Sequence, residues 1–99
     1  MSIRYIIDID NTICRTVDSD YINSTAIPER IKKINDLYDG GSYIIYWTAR
    51  GGTSGIDWTE LTNQQLISWG CKYHELRLGK PSYDIWIDDK AVNSEDYFK

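Results

Sequence analysis

The apolar positions of this chain fall into short blocks, each ending on a polar or glycine-rich stretch. Ile3, Tyr5, Ile6, Ile7 and Ile9 leave no solvent-facing alternation in 3–9, which predicts a strand buried on both faces and therefore central in a parallel sheet. Polar residues dominate 11–26, a connection too irregular for a helix and longer than most, and 13–26 reads as a flap. Pro28 suits a first helical turn. Ile27, Ile31, Ile34, Leu37 and Tyr38 then recur at helical spacing until Asp39-Gly40-Gly41, so a helix is expected over 28–39. Residues 43–47, β-branched and aromatic, form a second predicted strand that ends at Thr48.

A glycine-rich loop over 50–55 leads into a helix that Asp57 or Thr59 can cap and that carries Trp58, Leu61, Leu66, Ile67 and Trp69 before Gly70 stops it. Residues 71–78 alternate and predict a shorter, more exposed third strand, followed by a turn over 79–82 centred on Lys80. The apolar run 83–87 is a fourth predicted strand ending in Asp88-Asp89, and Ser94 is the candidate cap of a short helix through Phe98. The order β-α-β-α-β-β predicts an α/β sandwich with a mainly parallel sheet. At 99 residues it forms one domain, 1–99.

Charge and composition narrow the partners. A net charge of −4 argues against a broad grip on nucleic-acid phosphates, although a local basic pocket can still hold a phosphorylated end. No apolar run approaches the roughly 20 residues of a membrane span. Cys14 and Cys71 show no metal-like or redox spacing, and the chain opens directly on a strand without a signal peptide, which implies reduced thiols and a cytoplasmic protein. His74 has no Cys or His at ligand spacing and reads as structural, and the four Trp read mainly as core.

In an open parallel sheet, ligands bind outside the carboxyl ends of the strands. Asp8 and Asp10 follow the first predicted strand, Thr48 the second, Asp88 and Asp89 the fourth, and Lys80 immediately precedes the fourth. Two carboxylates two residues apart repel in a partly dry site, so a cation or a reaction has to offset the cost. Clustered carboxylates without His or Cys suit a hard cation with oxygen ligands, and Mg²⁺ pairs carboxylates with a substrate phosphate. One Asp can attack phosphorus to form an aspartyl-phosphate while a second protonates the leaving oxygen and later activates water. Thr48 and Lys80 would position and neutralise the transferring oxygens.

Asp8-Ile-Asp10-Asn-Thr12, Thr48, Lys80 in Gly-Lys-Pro and Asp88-Asp89 after Ile-Trp-Ile together resemble the four motifs of haloacid-dehalogenase-type phosphatases, covering nearly the whole chain. The resemblance implies a three-layer Rossmann-like sandwich of strand order 3-2-1-4. Neither motif gap has room for a cap domain, so it implies a small capless type. It makes Asp8 the nucleophile and Asp10 the general acid/base. It assigns Mg²⁺ to Asp8, Asp10 (through its backbone carbonyl) and Asp88, with Asp89 near the metal waters. Thr48 and Lys80 would hold the phosphoryl group. Thr12, Arg15 and Arg50 are the candidate substrate-binding residues, Arg50 ahead of Arg15 because it directly follows the second strand end.

The expected activity is Mg²⁺-dependent hydrolysis of a small phosphomonoester such as a sugar phosphate or nucleotide. Without a cap, 13–26 and the loop from Arg50 must shape the pocket, or a neighbouring subunit or the substrate must cover it. The rivals are a phospho-accepting receiver-like domain, a phosphatase of polynucleotide ends, and a degenerate fold kept for binding or assembly. In receivers the phosphorylated Asp lies on a later strand than the acidic pair, unlike the arrangement here.

Overall fold

The computed structural model of the protein describes residues 3–52 and 55–99; Thr53 and Ser54 of the glycine-rich loop lie outside the described residues. Strand β1 (Arg4–Ile7) pairs in parallel with β4 (Tyr43–Trp47), which pairs in parallel with β5 (Glu75–Arg77). Between β1 and β4 the chain forms a small antiparallel hairpin, β2 (Cys14–Arg15) with β3 (Thr25–Ala26), and helix α1 (Pro28–Asp39). Helix α2 (Thr59–Ser68) joins β4 to β5, and α3 (Ser94–Tyr97) closes the chain. The protein is thus a small α/β fold with a parallel three-stranded sheet and, among the described residues, three helices. None of them is long and apolar enough to cross a membrane.

The predicted helix over 28–39 and strand over 43–47 match α1 and β4. Gly41, at a φ of +99° that only glycine adopts freely, ends α1 and lets the Ser42 N–H return to the Leu37 carbonyl. Other boundaries shift. The predicted strands over 3–9 and 71–78 shorten to β1 and β5. Asn93 rather than Ser94 caps α3, its Oδ1 accepting from the Glu95 N–H at 2.9 Å. Within the polar connection, Ile13 and Cys14 are wholly buried, which anchors the hairpin that sequence periodicity did not reveal. Ile67, assigned to the apolar face of α2, is exposed, whereas Thr62 and Leu66 are buried.

The sheet differs from expectation where a fourth strand was expected beside β1. In the order β1-β4-β5, β4 is central and β1, expected to be central, is an edge strand, with Ile6 60% exposed. Residues 83–87, the predicted fourth strand, form no strand. Instead this segment curls beside Lys80. The ammonium lies 5.2 Å from the Tyr83 ring centre and 5.7 Å from that of Trp86, and Trp86 packs edge-on against Tyr83 and Trp47. Such aromatic and cation–π contacts offer a local alternative to strand pairing.

The core lies on one face of the sheet. Ile7, Ile44 and Tyr46 share it with Ile31 and Ile34 of α1 and Leu66 of α2. Strand alternation turns Ile6, Ile45 and Trp47 the other way, where they line an apolar hollow of about 320 Å³ with Arg77 and Leu78. The buried residues of α1 and α2 thus pack on one side of the sheet. No Trp is fully buried; Tyr46 is the largest side chain of the core.

Candidate functional site

The turn after β1 is built by one residue in an uncommon conformation. Asn11, at φ 61°, folds the chain back so that the Thr12 and Ile13 N–H groups both donate to the Ile9 carbonyl. With Ile9 and Ile13 buried, the alternating Asp8 and Asp10 face outward at the carboxyl end of the strand. They line a cavity of about 260 Å³ with Asn11 of the turn, with Thr48, Ala49 and Arg50 after β4, and with Thr16, Asp18, Ser19 and Tyr21 from the flap.

Asp8 is held at both oxygens. Thr12 Oγ1 donates to its Oδ2 at 3.1 Å, and Lys80 Nζ lies 3.5 Å from its Oδ1, an ion pair rather than a close hydrogen bond. Lys80 is positioned by its own backbone, whose N–H donates to the Thr48 carbonyl at 3.1 Å. Thr48 is 1% exposed, and its Oγ1 accepts from the Arg50 N–H at 3.1 Å. Its hydroxyl proton has no acceptor among the described residues and remains for a group in the cavity.

Asp10 sits in a denser network. Arg50 grips it in a fork, Nε to Oδ2 at 3.0 Å and Nη2 to Oδ1 at 2.8 Å. Thr16 Oγ1 adds a 2.6 Å bond to Oδ1, which leaves Oδ2 the less occupied oxygen. Because Thr16 spends its proton there, Ser24 Oγ donates to Thr16 at 2.7 Å. The Cys14 thiol lies 3.8 Å from Oδ1; burial pushes its pKa up and the Asp10 charge adds to this, while the Thr16 bond offsets part of it.

Arg50 has a different job from the one its position suggested. Its side chain has no solvent exposure, and Nη1 donates to Thr62 Oγ1 at 3.1 Å and to Gln65 Oε1 at 2.6 Å. Four of its five N–H donors are thereby engaged inside the protein, so it acts as an internal strut at the cavity wall, which it helps to line. Thr12 and Arg15 do not line the cavity. Thr12 orients Asp8. Arg15 alternates outward on β2 and pairs with Glu95 at 3.6 Å, because its neighbour Cys14 takes the buried side. Arg30, not singled out from sequence, is buried and ties the Asp8 turn to α3, donating to the Thr12 carbonyl at 3.1 Å and to Glu95 at 3.0 Å.

The structure brings Asp8, Asp10, Thr48 and Lys80 together but leaves Asp88 and Asp89 apart from them. Among the described residues no group of three or more His, Cys, Asp or Glu is arranged to hold a metal. Asp88 instead accepts from the Lys90 N–H at 2.9 Å and from the Trp86 indole at 3.3 Å, bonds that hold its pKa below the usual value. His74 is structural. Its Nδ1 accepts from the Ile44 N–H at 3.0 Å, and the ring stacks between Tyr38 and Tyr43.

Asn11, Thr16, Asp18, Ser19, Tyr21 and Gln65 complete the surroundings of the site. Sequence reasoning marked the flap but not Thr16, Asp18, Ser19 and Tyr21 within it, nor Gln65 on α2. Asp18 and Ser19, consecutive at φ 49° and 61°, have no local signature as a pair.

No family model and no curated protein matches the chain. Its fold is similar to the crystal structure of a target protein from Vibrio cholerae, with a TM-score of 0.85 and 26% identity over 97% of this chain and 87% of that one.

Proposed function

We propose that the protein is a phosphomonoester hydrolase in which Asp8 attacks phosphorus and Asp10 transfers the proton. The observation that carries it is the convergence of Asp8, Asp10 and Thr48 on one cavity, with Lys80 behind Asp8. Asp8 Oδ1 attacks the phosphoryl group as the P–O bond to the leaving alkoxide breaks, and Asp10 Oδ2 delivers a proton to that oxygen. Water then attacks phosphorus as the bond from phosphorus to Asp8 breaks, passing a proton to Asp10 and releasing inorganic phosphate. Thr48 donates its free hydroxyl proton to a phosphoryl oxygen, and Lys80 offsets the negative charge beside Asp8.

Beside the Arg50 guanidinium, the cavity presents carboxylate, hydroxyl and amide oxygens and no thiol or imidazole, a ligand set suited to Mg²⁺. Asp8 and the Asp10 carbonyl would hold it, with Asp88 and Asp89 completing the set. Bound there, Mg²⁺ would neutralise phosphoryl charge.

The same reading includes the finer architecture, a Rossmann-like haloacid-dehalogenase-type sandwich of order 3-2-1-4 without a cap. Residues 83–87 would add to the free edge of β1 and carry Asp88 and Asp89 to its end. The exposure of Ile85 and Ile87 (79% and 94%) and the unpaired edge of β1 support it. Fully burying each isoleucine is worth about 1.5–3 kcal/mol. The substrate is a small phosphorylated metabolite, and the reduced thiols of Cys14 and Cys71 fit a cytoplasmic setting.

Phosphate release from a panel of phosphomonoesters with Mg²⁺ tests the proposal. Wild type should turn over at least one class and Asp8→Asn none. Equal inactivity of both across the panel would sink hydrolysis, and a long-lived aspartyl-phosphate without turnover would indicate a phospho-accepting domain instead.

A further inference from the structure

One side chain of α2 touches both the flap and the cation behind Asp10. Gln65 Oε1 accepts from Arg50 Nη1 at 2.6 Å, and its Nε2 donates to the Tyr21 carbonyl at 2.6 Å. The amide's orientation is fixed by these partners. Flipped, it would set NH₂ against a guanidinium and oxygen against a carbonyl. Tyr21 lines the cavity, and its ring lies 4.7 Å from the Arg50 guanidinium carbon. The flap also reaches Asp10 directly through Thr16.

If the flap lifts, Asp10 loses one partner directly, and the arginine that grips it loses support. Thr16 leaves its Oδ1, and Arg50 loses the Tyr21 ring together with the amide that Tyr21 orients. Asp8 has no such dependence, because Thr12 and Lys80 hold it. From this asymmetry we propose that Gln65 is a positioning residue coupling the seating of the flap to the alignment of Asp10, so that the cavity closes and the proton donor is set together. The coupling rests on Asp10 being the acid/base, as proposed above. Its consequence is specific to proton transfer: a flap that is not seated slows departure of a basic alkoxide more than departure of a phenolate, which needs little protonation.

Gln65→Met, of similar length without polar atoms, tests this by two independent readouts. In the first, amide hydrogen exchange over 20–24 should quicken and the NMR signal of the buried Arg50 Nε–H should shift, whatever the activity. Gln65→Glu keeps an acceptor toward Arg50 but gives up the donor to Tyr21, so it should quicken exchange with a smaller Arg50 shift. It also serves if Gln65→Met folds poorly. In the second, kcat for an alkyl phosphate should fall roughly ten- to a hundredfold, and for an aryl phosphate by less than about threefold. Unchanged flap exchange and an unchanged Arg50 signal would overturn the coupling. So would equal loss of kcat on both substrates, since that marks a merely structural role. Failure of the hydrolase proposal is a separate outcome: wild type would then release no phosphate, and the exchange and Arg50 readouts would still decide the coupling.

Discussion

Asp10 and Arg50 are bound to each other more tightly than either is to the cavity. Arg50 has no solvent exposure and Asp10 about a fifth of its own, so removing the carboxylate strands a buried guanidinium. Asp10→Asn should therefore do two things, slowing turnover by about 10² to 10⁴ and lowering stability by about 2–4 kcal/mol. Kinetics and urea unfolding separate the effects; unchanged turnover would remove Asp10 from proton transfer. A titratable pair sits in the core. Burial pushes the Cys71 thiol from 9.0 to about 11 and the neighbouring Tyr46 phenol far upward. Above pH 9 the unfolded chain releases the thiol proton while the folded protein keeps it, so the unfolded state binds fewer protons and stability falls as pH rises toward 11. Cys71→Ala should flatten this decline in part, Cys14 and Tyr46 contributing in the same direction, when unfolding midpoints at pH about 8 and about 10 are compared.

The loop between β4 and α2 depends on a glycine. Gly51 sits at φ +78°, and a Cβ there would meet the Ile56 carbonyl and the Trp58 ring. It directly follows Arg50, so strain at this point acts on the fork that holds Asp10. Gly51→Ala should cost about 1–3 kcal/mol, read as a lower Tm, and an unchanged Tm would mean the loop relaxes freely. On the other side of the site, Thr16 and Tyr21 hang from the β2–β3 hairpin, which is anchored through Ile13 and Cys14 rather than through its polar residues. The stability of the flap and its contacts thus come from different residues. Substitutions at the cavity face of the flap should spare the fold more than substitutions at those two buried positions.

Across the whole molecule, the free edge of β1 and the exposed 83–87 segment are the unmatched pair. In the structure 83–87 forms the aromatic cluster around Lys80; the proposed fourth strand would instead bury its isoleucines and bring Asp88 and Asp89 to Asp8. A cation shared by those carboxylates favours the second by mass action. Mg²⁺ should therefore slow amide exchange in 83–89 and in β1 and raise Tm, and Asp88→Asn should blunt both. Exchange that ignores Mg²⁺ would separate Asp88 and Asp89 from the metal site and leave the sheet at three strands.

Local chemistry made α1, β4 and the polar strand ends legible in the chain itself. Helical spacing, Pro28, Gly40-Gly41 and a β-branched run act over a few residues, and so survive without knowledge of neighbours. Placing Asp8, Asp10 and Thr48 at strand ends, and Lys80 in the turn before the fourth predicted strand, followed from the same periodicity. The job of Arg50 did not, because its donors meet partners 12 to 40 positions away and burial, not sequence context, decides that they are satisfied internally. The hairpin in the flap was hidden for the same reason: two buried residues outweigh a polar stretch only once a core exists to receive them. The opening pair of carboxylates was readable as a costly arrangement, but that Arg50, Thr16 and Gln65 make Asp10 tolerable while Asp8 stays open to the cavity is a property of the packed structure alone.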